Sequence, residues 1–146
     1  MIVNPLSDLR VLDISDGIAG SYCSSLLAEY GAEVIKIEPP VTGDPIRAIG
    51  PFPSQKADPE TSGLFIHLNA NKKGITLNLQ SESGATLFKE LTKESDIVIE
   101  SFEPGYLDSI GLGYQSLESI NPALVVTSIT PFGQTGPYRD YRASDI

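Results

Sequence analysis

Chemistry in this chain is most legible at the turn Ser15 to Gly20, where Gly17 and Gly20 stand in a G-x-x-G spacing after an apolar run. A helix starting there offers backbone N–H groups without intrahelical partners, which suit an anion. The same glycines equally serve tight packing of helix on strand. The spacing is neither the G-x-G-x-x-G dinucleotide fingerprint nor a Walker loop with its lysine, so NAD and ATP find little support. Asp13 and Asp16 flank the turn and read as helix caps before they read as catalytic acids. Lys72, Lys73, Arg47, Arg139 and Arg142 are the cations available to a phosphate, with solvated surface charge as the alternative for the lysine pair. His67, the single histidine, reads as a core or helix-surface residue ahead of a general base. Cys23, the single cysteine, rules out an internal disulfide and reads as a small apolar helix residue. No cluster of histidine, cysteine and carboxylate has metal spacing, and no G-x-S-x-G elbow is present.

The elements that must position these groups alternate in type. Val11, Leu12 and Ile14 form a strand; Ala19, Cys23, Leu26, Leu27 and Tyr30 fall in a helical stripe; Gly31 sits where a C-terminal cap needs it; Val34, Ile35 and Ile37 form the next strand. Strand, helix and strand at this spacing predict a parallel βαβ unit, whose ligands bind at the carboxyl ends of the strands. Residues 41–60, with their prolines and glycines, predict a long loop. A short helix is expected over 60–69, an alternating strand over 75–79, and an amphipathic helix over 81–93 with Leu87, Phe88 and Leu91 inward. A buried strand over 97–99, two short helices over 104–110 and 115–120, and a last strand over 124–129 complete the pattern. The fold class is α/β, a Rossmann-like and mainly parallel sheet with flanking helices.

Composition narrows the partners. A net charge of −9 opposes nucleic acid and anionic membrane surfaces, since both are bound through basic residues. No apolar run reaches the roughly 18 residues of a membrane span, and Met1 to Arg10 lacks the plan of a signal peptide. A cytoplasmic setting is the expectation.

The order and spacing of several stretches resemble the family III CoA-transferases, the CaiB–BaiF family. They are VLDIS…AG at 11–20, GAEVIKIEPP at 31–40, GDPIR at 43–47, NANKKGITLNL at 69–79, SDIVIESFEPGYLDSIGLGYQSLESINPALV at 95–125 and FGQTGPY at 132–138. The resemblance covers nearly the whole chain. It implies a single, incomplete N-terminal domain over 1–146, part of a larger Rossmann-like domain whose subunits interlock. Members move CoA between carboxylic acids through an aspartate that forms mixed anhydrides and an aspartyl-CoA thioester. The substrate implied is CoA or acyl-CoA, without a metal. The partner implied is a second copy of the chain or a complementing C-terminal subunit.

Carried over position by position, the resemblance places Ile18 and Ala19 at the thiol end of CoA and Leu77 and Asn78 along its adenosine. It places Ser101 and Phe102 beside the pantetheine arm, with Arg142 near a basic CoA contact. Three positions depart: Pro39 and Ser109 stand where an arginine is frequent, and Gln80 where a lysine is common. A lost charge-assisted phosphate contact costs about 1.5–3 kcal/mol. No catalytic residue carries over, because the transferase aspartate falls beyond Ile146, so this chain alone is expected to be inactive. Two other readings stand beside this one. A non-catalytic CoA-binding or assembly module follows from the departures. A racemase-like isomerase would need a histidine where Ser144 precedes Asp145.

Overall fold

In the computed structural model, which describes residues 4–54 and 56–143, strands and helices alternate along the chain. The elements are β1 (Arg10–Asp13), α1 (Gly17–Glu29), β2 (Glu33–Glu38), a 3-10 helix (Pro45–Ala48), α2 (Gly63–Leu68), β3 (Lys73–Thr76), α3 (Glu82–Lys93), β4 (Ile97–Glu100), α4 (Tyr106–Ser109), α5 (Tyr114–Glu118) and β5 (Val125–Ser128). All strand pairs among the described residues are parallel, in the order β3-β2-β1-β4-β5. The chain winds outward from β1 to β3, returns through α3, and continues on the other side with β4 and β5. The expected α/β class with a parallel sheet is what the chain forms.

Strand alternation divides the core into two layers. Leu12, Ile14, Ile37 and Val98 face one side, where Phe88 of α3, Leu107 of α4 and Leu117 of α5 cover them. Val11, Val34 and Ile99 face the other side, beneath Ala28 of α1. On that second side the next residues along β1 and β2 are Asp13 and Lys36, paired in register and both buried. The sheet therefore turns from apolar to ionic under the N-terminal half of α1.

This explains how α1 departs from the predicted stripe. Its buried residues are Gly20, Ser21, Ser24, Ser25 and Ala28, whereas Leu26 and Tyr30 are exposed and Cys23 and Leu27 only partly covered. A helix over an ionic sheet surface needs hydroxyls inward, so apolar periodicity points the wrong way. Gly31 closes α1 at φ 101°, as the spacing predicts.

Three further differences have local causes. The segment 41–60 is not all loop: Asp44 accepts a hydrogen bond from Ile46 N at 2.9 Å and Pro45 fills the first turn, which starts the 3-10 helix. The third strand pairs over Lys73–Thr76, earlier than the alternation at 75–79 predicts, because β2 offers partners only from Ile35 to Glu38. Leu77 and Leu79 pack against the core from beyond the strand. Leu87 faces solvent at 55% exposure, while Phe88 next to it is fully buried.

The two neighbours give a direct test of this packing. Phe88→Ala should cost about 3–5 kcal/mol in urea unfolding. Leu87→Ala should stay within about 0.5 kcal/mol.

Candidate ligand site at the sheet switch point

The turn after β1 is held from below. Asp13 is fully buried, and its Oδ1 accepts from Ser15 Oγ at 2.6 Å while its Oδ2 accepts from Ser24 Oγ at 2.5 Å. Lys72 Nζ reaches the same Oδ2 at 3.1 Å and also donates to Ser21 O, Ser24 Oγ and Asn69 Oδ1. Lys36 Nζ donates to Ser15 O at 2.5 Å and pairs with Asp44 at 2.8 Å and Asp13 at 3.7 Å. Burial pushes the Asp13 carboxyl up, but Lys36, Lys72 and the two serine hydroxyls outweigh it and hold it below the ordinary carboxylate range. Burial pulls the Lys72 ammonium down, with Asp13 opposing.

Gly20 allows α1 to lie this close, since a Cβ there would come within 2.2 Å of the Ser15 side chain. Asp16 caps α1 through its extended backbone and makes no side-chain cap bond. Its N–H donates to Ser101 Oγ at 2.9 Å, and Ser101 donates back to Asp16 O at 2.9 Å. That pair stitches the end of β1 to the end of β4, the two strands between which the winding reverses. In open α/β sheets ligands bind at this position.

A cavity of about 530 Å³ opens there, lined by Asp16, Pro39, Leu77, Asn78, Gln80, Phe102 and Tyr106 among others. Phe102 stacks on Tyr106 at 4.8 Å between ring centroids, and Gln80 Nε2 donates to Tyr106 OH at 3.0 Å. Beyond Phe102 a second cavity is lined by Ser101, Phe102, Arg139 and Arg142. Desolvation, and then the Asp44 carboxylate, push the Asp16 carboxyl up from its ordinary value.

The expected site residues therefore gather in part. Leu77, Asn78 and Phe102 line the first cavity, and Ser101, Phe102 and Arg142 the second. Ile18 and Ala19 line neither; they are exposed on the first turn of α1, whose N–H groups have no intrahelical carbonyl to reach. Pro39 and Gln80 are on the first cavity's wall, whereas Ser109 donates to Tyr106 O at 2.7 Å. Ser144 and Asp145 lie outside the described residues.

Several expectations for charged groups need correction. Asp13 is not a cap but the centre of a buried ionic cluster. Lys72 is locked onto Asp13, and Lys73 pairs with Glu33 on the surface, so neither stands free for a phosphate. Arg47 is committed to Glu38 through Nε and Nη2 and lies 3.7 Å from the centre of the Phe65 ring. His67 needs no such correction: it is exposed on α2, the helix-surface position read for it. Lys36 and Asp44 were not singled out in the sequence, although a lone lysine inside the apolar run Val34–Ile37 is the signal that marks such a residue. Among the described residues no group of three or more His, Cys, Asp or Glu could hold a metal ion, and no helix is long and apolar enough to cross a membrane.

An all-parallel sheet with a cavity at its switch point defines a doubly wound α/β domain of the kind that binds ligands at its carboxyl edge. The model of CoA-transferase family III matches residues 6–146, and the chain belongs to that family. It is 45% identical over 136 residues to a succinyl-CoA–L-malate CoA-transferase beta subunit of Chloroflexus aurantiacus, which covers 93% of this chain and 33% of that protein. It is 42% identical over 143 residues to a succinate–glutarate CoA-transferase of Agrobacterium fabrum, covering 97% and 36%. The crystal structure of a CaiB/BaiF family protein from Brucella suis superposes with a TM-score of 0.85 at 41% identity, over 94% of this chain and 36% of that one. The chain thus spans about a third of the length of the curated relatives it matches.

The ionic cluster makes stability depend on acid in a defined direction. The folded Asp13 carboxyl titrates below its unfolded value, so its contribution is complete above the ordinary carboxylate pKa of about 3.9 and is lost as pH falls through the lower folded value. Asp13→Asn should cost about 3–5 kcal/mol near neutrality, because Lys72 keeps its buried charge and loses its carboxylate. Urea midpoints measured from about pH 5 down to pH 2 should fall less steeply in D13N than in the parent chain.

Proposed function

We propose that this chain forms CoA-contacting walls of a family III transferase that moves CoA between carboxylic acids. The observation that carries the reading is the cavity at the β1–β4 switch point, walled by Leu77, Asn78 and Phe102 and adjoining the space beside Ser101 and Arg142. A CoA thioester would lie along these two cavities with its thiol end toward the first turn of α1. There the backbone N–H groups of Ile18 and Ala19 would steady the thioester carbonyl as negative charge develops on it. Remote contacts with the rest of CoA orient the reacting carbon and hold it for attack.

The chemistry balances as carboxylate exchange. A protein carboxylate attacks the thioester carbonyl and displaces the CoA thiolate, leaving a mixed anhydride; the thiolate attacks its protein-side carbonyl, which frees the donor as a carboxylate and leaves CoA on the protein as a thioester. The acceptor carboxylate then attacks that thioester and displaces the thiolate again, and the thiolate attacks the acceptor-side carbonyl of the second anhydride, which releases the acceptor thioester and restores the protein carboxylate. Asp13 and Asp44 are unsuited to that attack, being buried and paired with lysines. We assign the attacking carboxylate to a complementing segment or subunit; a second copy of this chain would cover exposed surface without supplying that carboxylate. The names of two relatives, an alpha and a beta subunit of a succinyl-CoA–L-malate CoA-transferase, support a partnered assembly. The edge strand β3, exposed along its length, and Val125 of β5 at 55% exposure are surfaces such a partner would cover.

The chain alone should bind CoA in calorimetry yet show no exchange of CoA between succinyl-CoA and a labelled dicarboxylate. Transfer by the isolated chain would refute the assignment of the carboxylate. Phe102→Ala should weaken CoA binding about tenfold or more through loss of the shared wall. Sedimentation at high concentration should show self-association, and a clean monomer would count against the two-copy arrangement.

A further inference from the structure

The first cavity is walled almost without charge. Among the described residues Asp16 is its single carboxylate, and no lysine or arginine lines it. The cations that approach from behind are already engaged: Lys36 with Asp44, Lys72 with Asp13 and Arg47 with Glu38. The arginines that border ligand space, Arg139 and Arg142, sit on the far side of Phe102 in the second cavity. A phosphate placed in the first cavity would lose water and meet only a carboxylate and amides, in a chain whose net charge is already −9.

What the cavity does offer suits an uncharged heteroaromatic ring. Phe102 and Tyr106 form a tilted aromatic pair that presents ring surface to the cavity. Asn78 Oδ1 accepts from Gln80 N at 3.0 Å, and Gln80 Nε2 donates to Tyr106 OH at 3.0 Å. Among the described residues this leaves the Asn78 amide N–H groups and the Gln80 amide oxygen without protein partners. One amide donor and one amide acceptor are the pair that reads the ring nitrogen and the exocyclic amine of adenine. A volume of about 530 Å³ is also within the span of small-molecule sites.

Resting on the CoA-binding reading above, we infer that the first cavity takes the adenine and ribose of the thioester and offers no cation to a phosphate on that ribose, so the chain accepts 3′-dephospho-CoA at least as well as CoA. The 3′-phosphate is then a tolerated group facing solvent, not a recognised one. Recognition of the nucleotide end rests on stacking and amide hydrogen bonds, which depend little on ionic strength.

Calorimetric titration of the full chain with CoA and with 3′-dephospho-CoA tests this. The two dissociation constants should agree within about twofold, or favour 3′-dephospho-CoA. A preference for CoA beyond about twofold would overturn the inference and leave the CoA-binding reading standing. Binding of neither compound would bring down both. Gln80 is exposed, so Gln80→Lys leaves the core intact; it removes the same ring acceptor from both ligands, and the ratio of their affinities reads the phosphate alone. The new ammonium should shift the ratio about fivefold toward CoA and make CoA binding sensitive to salt. An unchanged ratio in Q80K would place the 3′-phosphate elsewhere and overturn the inference.

Discussion

The fold depends on a charge pair buried where two parallel strands run side by side. Asp13 and Lys36 occupy matched positions on β1 and β2, and both are almost completely removed from water. Desolvation costs several kcal/mol per ion, so such a pair survives only when its remaining lone pairs and protons are satisfied. Here they are, by Ser15, Ser21 and Ser24, by Lys72 and by Asp44. Those partners come from four stretches of chain: the turn after β1, α1, the residue before the 3-10 helix and the connection from α2 to β3. The ionic cluster therefore ties β1, α1, β2, the start of the 3-10 helix and the connection from α2 to β3 into one body. It also places the first turn of α1, because Lys36 holds Ser15 O and Asp44 Oδ1 accepts from Gly17 N at 3.4 Å.

Consequences for the site follow from where that cluster sits. The lysines nearest the switch point are spent on carboxylates within the protein, and Arg47 is spent on Glu38. Positive charge that would otherwise colour the ligand cavity is neutralised beneath it. What reaches the cavity surface is aromatic, aliphatic and amide beside the Asp16 carboxylate, with the arginines displaced to the far side of Phe102. The same residues that rigidify the turn thus set the chemical character of the space in front of it.

Much of the architecture was readable in advance. Short apolar runs separated by amphipathic helices and punctuated by Gly31 and Pro39 are enough to predict parallel βαβ winding, and the sheet has it. The site was readable only in part. Leu77, Asn78 and Phe102 do line one cavity, but through a chain path that leaves β3 at Thr76, sooner than the alternation over 75–79 suggests. Ile18 and Ala19 lie apart from the cavity wall, since a helix that begins at Gly17 turns their side chains outward. The engagement of Lys72 was hidden because its partner, Asp13, is distant in sequence.

By itself, the order of residues determined the alternation of strands and helices, the glycine stop after α1 and the family to which the chain belongs, because these rest on local spacing and on patterns carried along the chain. Tertiary structure alone decided which charges would be buried against one another and hence which would be left for a ligand. Periodicity reports how apolar a face is, whereas the fate of a lysine or an aspartate depends on what stands across from it. For Asp13, Lys36, Asp44 and Lys72, that neighbour exists only once the sheet has assembled.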